Sequence, residues 1–231
     1  MEFINNENSS DLTIVLNNKL WFRGKNQKQR AISERQKLYG NKGIVISKNE
    51  SKSNKQMSSV FENPYELYDY TKQTPPHLRC FYEIVEHNSK LYFDIEYDNY
   101  CLLLTEVLQH LYSILKLLYN ISPKKRIILS AHRYNKKSWH IIFPEYSISP
   151  EERKKLSKYL QTSAKSYVDW RVYNTNQPFR LCGSYKSIDF SSKLYLMDDN
   201  ENKILDYDSN TFINTMVTQI NPDAICIESK I

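Results

Sequence analysis

Between Leu91 and Leu118 the hydrophobic period of the chain changes, and this switch restricts the fold more than any other feature. From Leu91 to Tyr97, aromatic and β-branched residues predict a strand. Asp94 and Glu96 then project from one face, and Phe93, Ile95 and Tyr97 from the other. From Leu102 to Leu118 the apolar positions Leu104, Val107, Leu108, Leu111, Ile114, Leu115 and Leu118 recur at helical spacing, and Ser122-Pro123 ends the run. A strand followed by an amphipathic helix predicts an α/β (α+β) fold with the helix packed on a sheet. Farther on, Arg126 to Ala131 and Ser138 to Phe143 read as strands. Ser149-Pro150-Glu151-Glu152 opens a second helix with proline and acids in its first turn. Short extended segments are expected at Tyr167 to Trp170, Phe179 to Lys186 and Lys193 to Met197. Upstream, Phe81 to Glu86 reads as a strand that forms a hairpin with the Leu91 strand.

With 231 residues the chain suits one functional unit, which two small modules sharing a core would also satisfy. No apolar run approaches the roughly 20 residues of a membrane span, and the N-terminus lacks an apolar leader core, so a soluble, intracellular protein with no membrane partner is expected. Cys80, Cys101, Cys182 and Cys226 are scattered singly, read best as small buried hydrophobes, and predict no zinc site. The four glycines fit neither a Walker loop nor GxGxxG, so nucleotide binding would have to do without a glycine-rich cradle.

The net charge of +6 is concentrated: residues 19–55 hold eleven basic residues against Glu34 and Glu50. Lys19, Arg23, Lys25, Lys28, Arg30, Arg35 and Lys37, interleaved with Trp21, Phe22 and Tyr39, suit a polyanion. Cations displace counterions from phosphates while aromatic faces stack on bases. A solvated charged face followed by a Ser/Asn/Lys-rich linker near 47–59 is the plainer alternative.

Asp94 and Glu96, two residues apart in a strand, can jointly ligate a hard divalent cation, and their mutual repulsion favours one. Ser138 and His140 form a second same-face pair, preceded by Lys136; hydroxyl and imidazole can donate to phosphate oxygens while Lys136 adds charge. Asp169 lies between Val168 and Trp170, and Arg180 and Lys186 follow as cations able to neutralise a triphosphate.

In this order, DxE, SxH and a single Asp followed by a basic Phe179-Arg180-Leu181 segment resemble the archaeo-eukaryotic primase superfamily, with primase-polymerases of the PrimPol type and related viral primases nearest. Lys90-Leu91-Tyr92-Phe93-Asp94-Ile95-Glu96, Ser138-Trp139-His140-Ile141-Ile142-Phe143 and Asn176-Gln177-Pro178-Phe179-Arg180-Leu181 carry the resemblance, which spans roughly Tyr82 to Lys186. It implies a primase core, an N-terminal α/β module docked on an RRM-like catalytic module. The expected division is 1–89 as the basic module and 90–231 as the catalytic one. It implies Asp94, Glu96 and Asp169 as catalytic ligands of two Mg²⁺ or Mn²⁺ ions. Ser138, His140, Arg180, Lys186 and, less directly, Lys136 become contacts to the incoming nucleotide. The implied partners are single-stranded DNA template, primer and NTP or dNTP. No zinc-binding module follows Asp169, so primer extension is expected in preference to initiation, with a helicase or zinc-binding module supplied from outside these residues.

Two other readings compete. Phe93-Asp94-Ile95-Glu96 also resembles the first motif of DEDD-type 3′-5′ exonucleases, and Tyr185 to Asp189 fits their YxxxD motif, although no middle motif is present. A catalytically inactive nucleic-acid-binding subunit would use the basic segment alone.

Overall fold

The computed structural model describes residues 3–4, 12–49, 55–98, 102–133, 135–163, 167–186 and 192–230. In chain order the first elements are β1 (Phe3–Ile4), β2 (Leu12–Leu16), β3 (Lys19–Arg23), α1 (Gln27–Tyr39), β4 (Ile44–Asn49), β5 (Gln56–Phe61), α2 (Pro64–Gln73), β6 (Phe81–Val85) and β7 (Ser89–Tyr97). There follow α3 (Leu104–Tyr119), β8 (Ile127–Ser130), β9 (Lys137–Ile148), α4 (Pro150–Ser163), β10 (Gln177–Arg180), β11 (Tyr195–Met197), β12 (Lys203–Ile204), α5 (Ser209–Thr215) and β13 (Ile225–Ile227). The result is a mixed α/β fold with two sheets and, among the described residues, five α-helices. Strand pairing in both sheets is antiparallel wherever the register is defined, except for the short parallel contact of β13 with β9.

Contacts divide the chain into two compact units, residues 1–84 with 178–190 and residues 85–177 with 191–231. The division expected at residue 89 thus falls at 84/85. Residues 178–190 return to the N-terminal unit because β10 pairs with β6.

The N-terminal unit is a seven-stranded sheet in the order β1-β2-β3-β5-β4-β6-β10. Asn17 and Asn18 sit at φ 49° and 58° between β2 and β3, the left-handed pair that a two-residue hairpin turn requires and asparagine tolerates. On one face α1 covers a cluster of Phe22, Ala31, Val45, Val60 and Ile84. Its docking stripe is partly polar, since Gln27, Ala31 and Arg35 are its buried positions. Within that interface Ser58 donates to the Gln27 side-chain carbonyl, and the Ser47 hydroxyl lies 2.7 Å from that of Ser58. On the other face Trp21 packs against Phe61, Phe81 and Tyr70 of α2, donating its indole N–H to the Tyr70 hydroxyl at 3.2 Å. Asn63 caps α2 by accepting from the Tyr65 and Glu66 amides, with Pro64 in the first turn.

Three expectations change here. The linker near 47–59 is flanked and largely replaced by β4 and β5, whose Ser47, Ser58 and Ser59 are buried by ladder pairing; its middle, residues 50–54, lies outside the described residues. Trp21 and Phe22 are core residues at 0% and 7% exposure, so they are not base-stacking platforms. The hairpin of the Phe81 and Leu91 strands does not form: β6 pairs with β4, and β7 pairs with β9 in the other sheet.

The C-terminal unit is built on β7, β9 and β8, with β11 and β12 beyond β8. β7 and β9 form the longest ladder, with its irregularity between Lys90 and Leu91. After α4 the chain returns beside β7 through one antiparallel bridge, Val168 opposite Ile95. The sequence β7-α3-β8-β9-α4-Val168 therefore has the spatial order Val168-β7-β9-β8. The predicted helix is present, buries Leu104, Val107, Leu108, Leu111, Ile114, Leu115 and Leu118, and ends at Asn120 in the left-handed conformation, before Ser122-Pro123. Tyr112 of α3 meets Phe143 at a ring separation of 6.0 Å, and Phe143 meets Phe93 at 6.1 Å, so α3 lies on the Phe93 side of the sheet. Cys80 and Cys182 are buried as expected of small hydrophobes, whereas Cys226 on β13 is exposed; Cys101 lies outside the described residues.

Candidate functional site

The register of β7 and β9 assembles the site. Asp94 stands opposite His140 and Glu96 opposite Ser138, while Ile95 pairs with Trp139 on the reverse face. The Val168 bridge adds the third acid: the Glu96 amide donates to the Tyr167 carbonyl at 2.8 Å and the Asp169 amide to the Asp94 carbonyl at 2.9 Å. These bonds make Asp94 and Asp169 cross-strand neighbours. Ile95 and Val168 are buried behind them at 0% and 4% exposure. Asp94, Glu96, Asp169, Ser138 and His140 thus share one region of the C-terminal unit, as the sequence motifs implied.

Two of the three carboxylates are turned onto cations. Asp169 accepts from the Arg171 Nε at 2.8 Å, its Nη2 at 2.9 Å and its backbone amide at 3.0 Å. Glu96 Oε2 accepts from the Lys136 ammonium at 2.6 Å. His140 Nε2 lies 3.7 Å from Asp94 Oδ1, beyond a good hydrogen bond. Among the described residues no three His, Cys, Asp or Glu side chains converge as a metal cluster. The donor chemistry nevertheless suits Mg²⁺ or Mn²⁺: three acids on adjacent positions offer oxygen alone, the ligand these hard cations prefer.

A polar cleft of about 450 Å³ opens beside the acids, lined by Glu96, Asp98, Lys136, Asp169 and Arg171 with Tyr167 and Trp170. Arg171 was not singled out by the sequence, although its spacing of two from Asp169 was visible. Hydrogen bonding to Asp169, then that carboxylate's charge, and more weakly Glu96 and Asp94 raise its guanidinium above the ordinary value, so it senses all three acids. His132 was also missed. Its Nδ1 accepts the Ser138 amide at 3.1 Å and its ring stands edge-on to Trp139 at 4.7 Å. Burial, aided by the charge of Lys137, pushes this imidazole down to about 4 and keeps it neutral. Nothing in the motifs flags it, because an acceptor for one main-chain amide has no sequence pattern.

The other predicted residues belong to the N-terminal unit. Arg180 is buried at the end of β10, and the Lys186 carbonyl accepts from the Tyr82 hydroxyl at 2.8 Å and from Asn49 at 3.1 Å. Tyr185 is buried there too, and Asp189 of the YxxxD pattern lies outside the described residues. In the basic block, Lys19 bonds Glu66 at 2.5 Å and sits 4.5 Å from the Phe61 ring centre. Arg30 bonds the Leu12 carbonyl and the Thr13 hydroxyl and covers Phe22. Arg35 is buried at 4% exposure. These three are tied into the fold, which removes them from a simple phosphate-facing stripe. Arg23 and Lys28 are half-buried, and Lys25 and Lys37 are exposed.

No helix among the described residues is long and apolar enough to cross a membrane. No protein-family model matches the sequence, and no curated protein matches it.

Proposed function

We propose that the chain is the catalytic core of a DNA primase-polymerase that joins nucleotides to a primer 3′-hydroxyl. The observation that carries this is the register placing Asp94, Glu96 and Asp169 on neighbouring positions of β7 and the Val168 bridge. The β7-α3-β8-β9-α4-Val168 order agrees with an RRM-like catalytic module, and an α/β N-terminal unit agrees with the rest of such a core. In this reading Asp94, Glu96 and Asp169 hold the Mg²⁺ or Mn²⁺ ions. When bound, the ions supply Lewis-acid stabilisation of the charge that develops in phosphoryl transfer.

The chain's own residues position and neutralise. Ser138 and His140, buried near the start of β9, present donors on the same face as the acids, where the phosphates of an incoming nucleotide would lie. His132 holds the Ser138 backbone in place, and Lys136 adds charge at the rim. On the N-terminal unit, Arg23, Lys25, Lys28 and Lys37 serve the template strand.

The test incubates the chain with a primed template, labelled deoxynucleotide and Mg²⁺ or Mn²⁺. Extension supports polymerisation, shortening supports the exonuclease, and neither, with retained DNA binding, supports an inactive binding subunit. Comparing primed with unprimed template then measures extension against initiation, with extension expected to dominate.

A further inference from the structure

Arg171 is an unusual neighbour for a metal ligand. Its side chain is 66% exposed while that of Asp169 is 19% exposed, so the guanidinium comes from the solvent side and lies over a more recessed carboxylate, engaging both oxygens. Lys136 engages one oxygen of Glu96, Oε2, at 2.6 Å, the two side chains being 30% and 27% exposed. Both cations line the polar cleft that the acids face. A divalent ion bound through these carboxylate oxygens and a guanidinium occupying both of them exclude one another. Exposed ion pairs add little to stability, so the exchange is not prevented by the fold. Once displaced, however, Arg171 and Lys136 remain tethered at the cleft beside an added double positive charge, which is unfavourable until an anion joins them.

We propose that Arg171, assisted by Lys136, is a place-holding cation that makes metal binding at Asp169 conditional on a polyphosphate ligand. This rests on the nucleotidyl-transfer reading above and deepens it: the nucleoside triphosphate takes the released guanidinium and ammonium as the metal takes the carboxylates. Metal alone binds poorly, and metal with nucleotide binds well. By linkage, each tightens the other by the same factor. Arg171 is thus a positioning residue whose removal affects the two ligands in opposite directions.

The experiment measures protein-bound Mn²⁺ on the full chain by water-proton relaxation, with and without a nonhydrolysable nucleoside triphosphate. Arg171→Gln is expected to bind Mn²⁺ alone about five- to ten-fold more tightly than wild type and to lose most of the gain that the nucleotide gives. Arg171→Lys, which restores the charge, should move back toward wild type. Unchanged or weaker binding of Mn²⁺ alone by Arg171→Gln overturns the proposal, as does an undiminished nucleotide gain. If Asp169→Asn loses Mn²⁺ binding while Arg171→Gln leaves it unchanged, only the place-holder fails. If wild type binds no Mn²⁺ with or without nucleotide, the metal centre itself fails and the place-holder with it.

Discussion

The two units use charged and polar side chains in opposite ways. In the N-terminal unit they are consumed by the fold. Gln27, Ser47 and Ser58 form a buried hydrogen-bonded seam under α1, Arg35 is buried in the same helix, and Lys48 lies 4.6 Å from the Trp21 ring centre. In the C-terminal unit Asp94, Glu96, Asp169, Lys136 and Arg171 collect along one side of β7, backed by an apolar layer of Ile95, Val168 and Trp139. Burying a polar group is tolerable when it is hydrogen-bonded, so the first arrangement specifies how a helix docks. Gathering like-charged carboxylates has no such structural reward, and the second arrangement therefore points to a ligand.

The sharpest way to break this contrast is to neutralise the acids. Asp94→Asn, Glu96→Gln and Asp169→Asn should each lower nucleotide incorporation by about two orders of magnitude or more, because transition-state charge stabilisation is lost. The melting temperature should stay within a few degrees of wild type. A large loss of stability with no loss of incorporation would put the acids in the same structural role as the polar groups of the N-terminal unit.

The converse change belongs to the N-terminal unit. Trp21→Ala should destabilise the protein by about 3 to 5 kcal/mol, the usual cost of removing a large buried aromatic, since Trp21 has 0% exposure and three aromatic neighbours. Denaturant unfolding measures it. If the variant keeps its stability but binds single-stranded DNA more weakly, the indole is a stacking platform after all.

The difference between the units also explains what the sequence disclosed. β7, α3 and the acid face were legible because apolar residues alternate with acids from Phe93 to Tyr97 and recur at helical spacing from Leu104 to Leu118. Two acids two residues apart can share only one strand face. The N-terminal helix was illegible because its buried positions Gln27, Ala31 and Arg35 repeat every four residues but are mostly polar. The linker expectation failed for the same reason: Ser47, Ser58 and Ser59 look like loop residues and are strand residues buried on paired faces. The hairpin expectation failed because a short turn between two strands does not say that they pair. Here Phe81–Val85 and Ser89–Tyr97 join different sheets. Arg171 and His132 were missed because their roles depend on partners made by the bridge and by the β8–β9 turn.

A smaller effect sharpens the assignment within the basic block. Lys25 and Lys37 are exposed, whereas Lys19, Arg30 and Arg35 are engaged by the fold. The double change Lys25→Gln, Lys37→Gln should flatten the log-log salt dependence of single-stranded DNA binding by about 1.4, at roughly 0.7 per lost phosphate contact. An unchanged slope would leave the block as a solvated face on a structural framework.

The smallest effect is a pH dependence located beside the acids. His132 titrates near 4 in the folded chain against an ordinary 6.5, because burial and Lys137 disfavour its charged form. Protonation would also turn the Nδ1 acceptor of the Ser138 amide into a donor, losing that bond. Above pH 6.5 the imidazole is neutral in both folded and unfolded chains and contributes no slope. Between about 6.5 and about 4 the unfolded chain takes up a proton that the native chain refuses, so stability falls as pH falls. Partial solvent screening holds the loss to about 1 kcal/mol. His132→Gln cannot titrate, and its stability should be flatter than wild type across this window when unfolding is followed at a series of pH values. Parallel curves would mean that His132 is solvated and the Ser138 backbone is held without it; a flatter curve accompanied by a raised KM for nucleotide would tie this imidazole to the strand that presents Ser138 and His140.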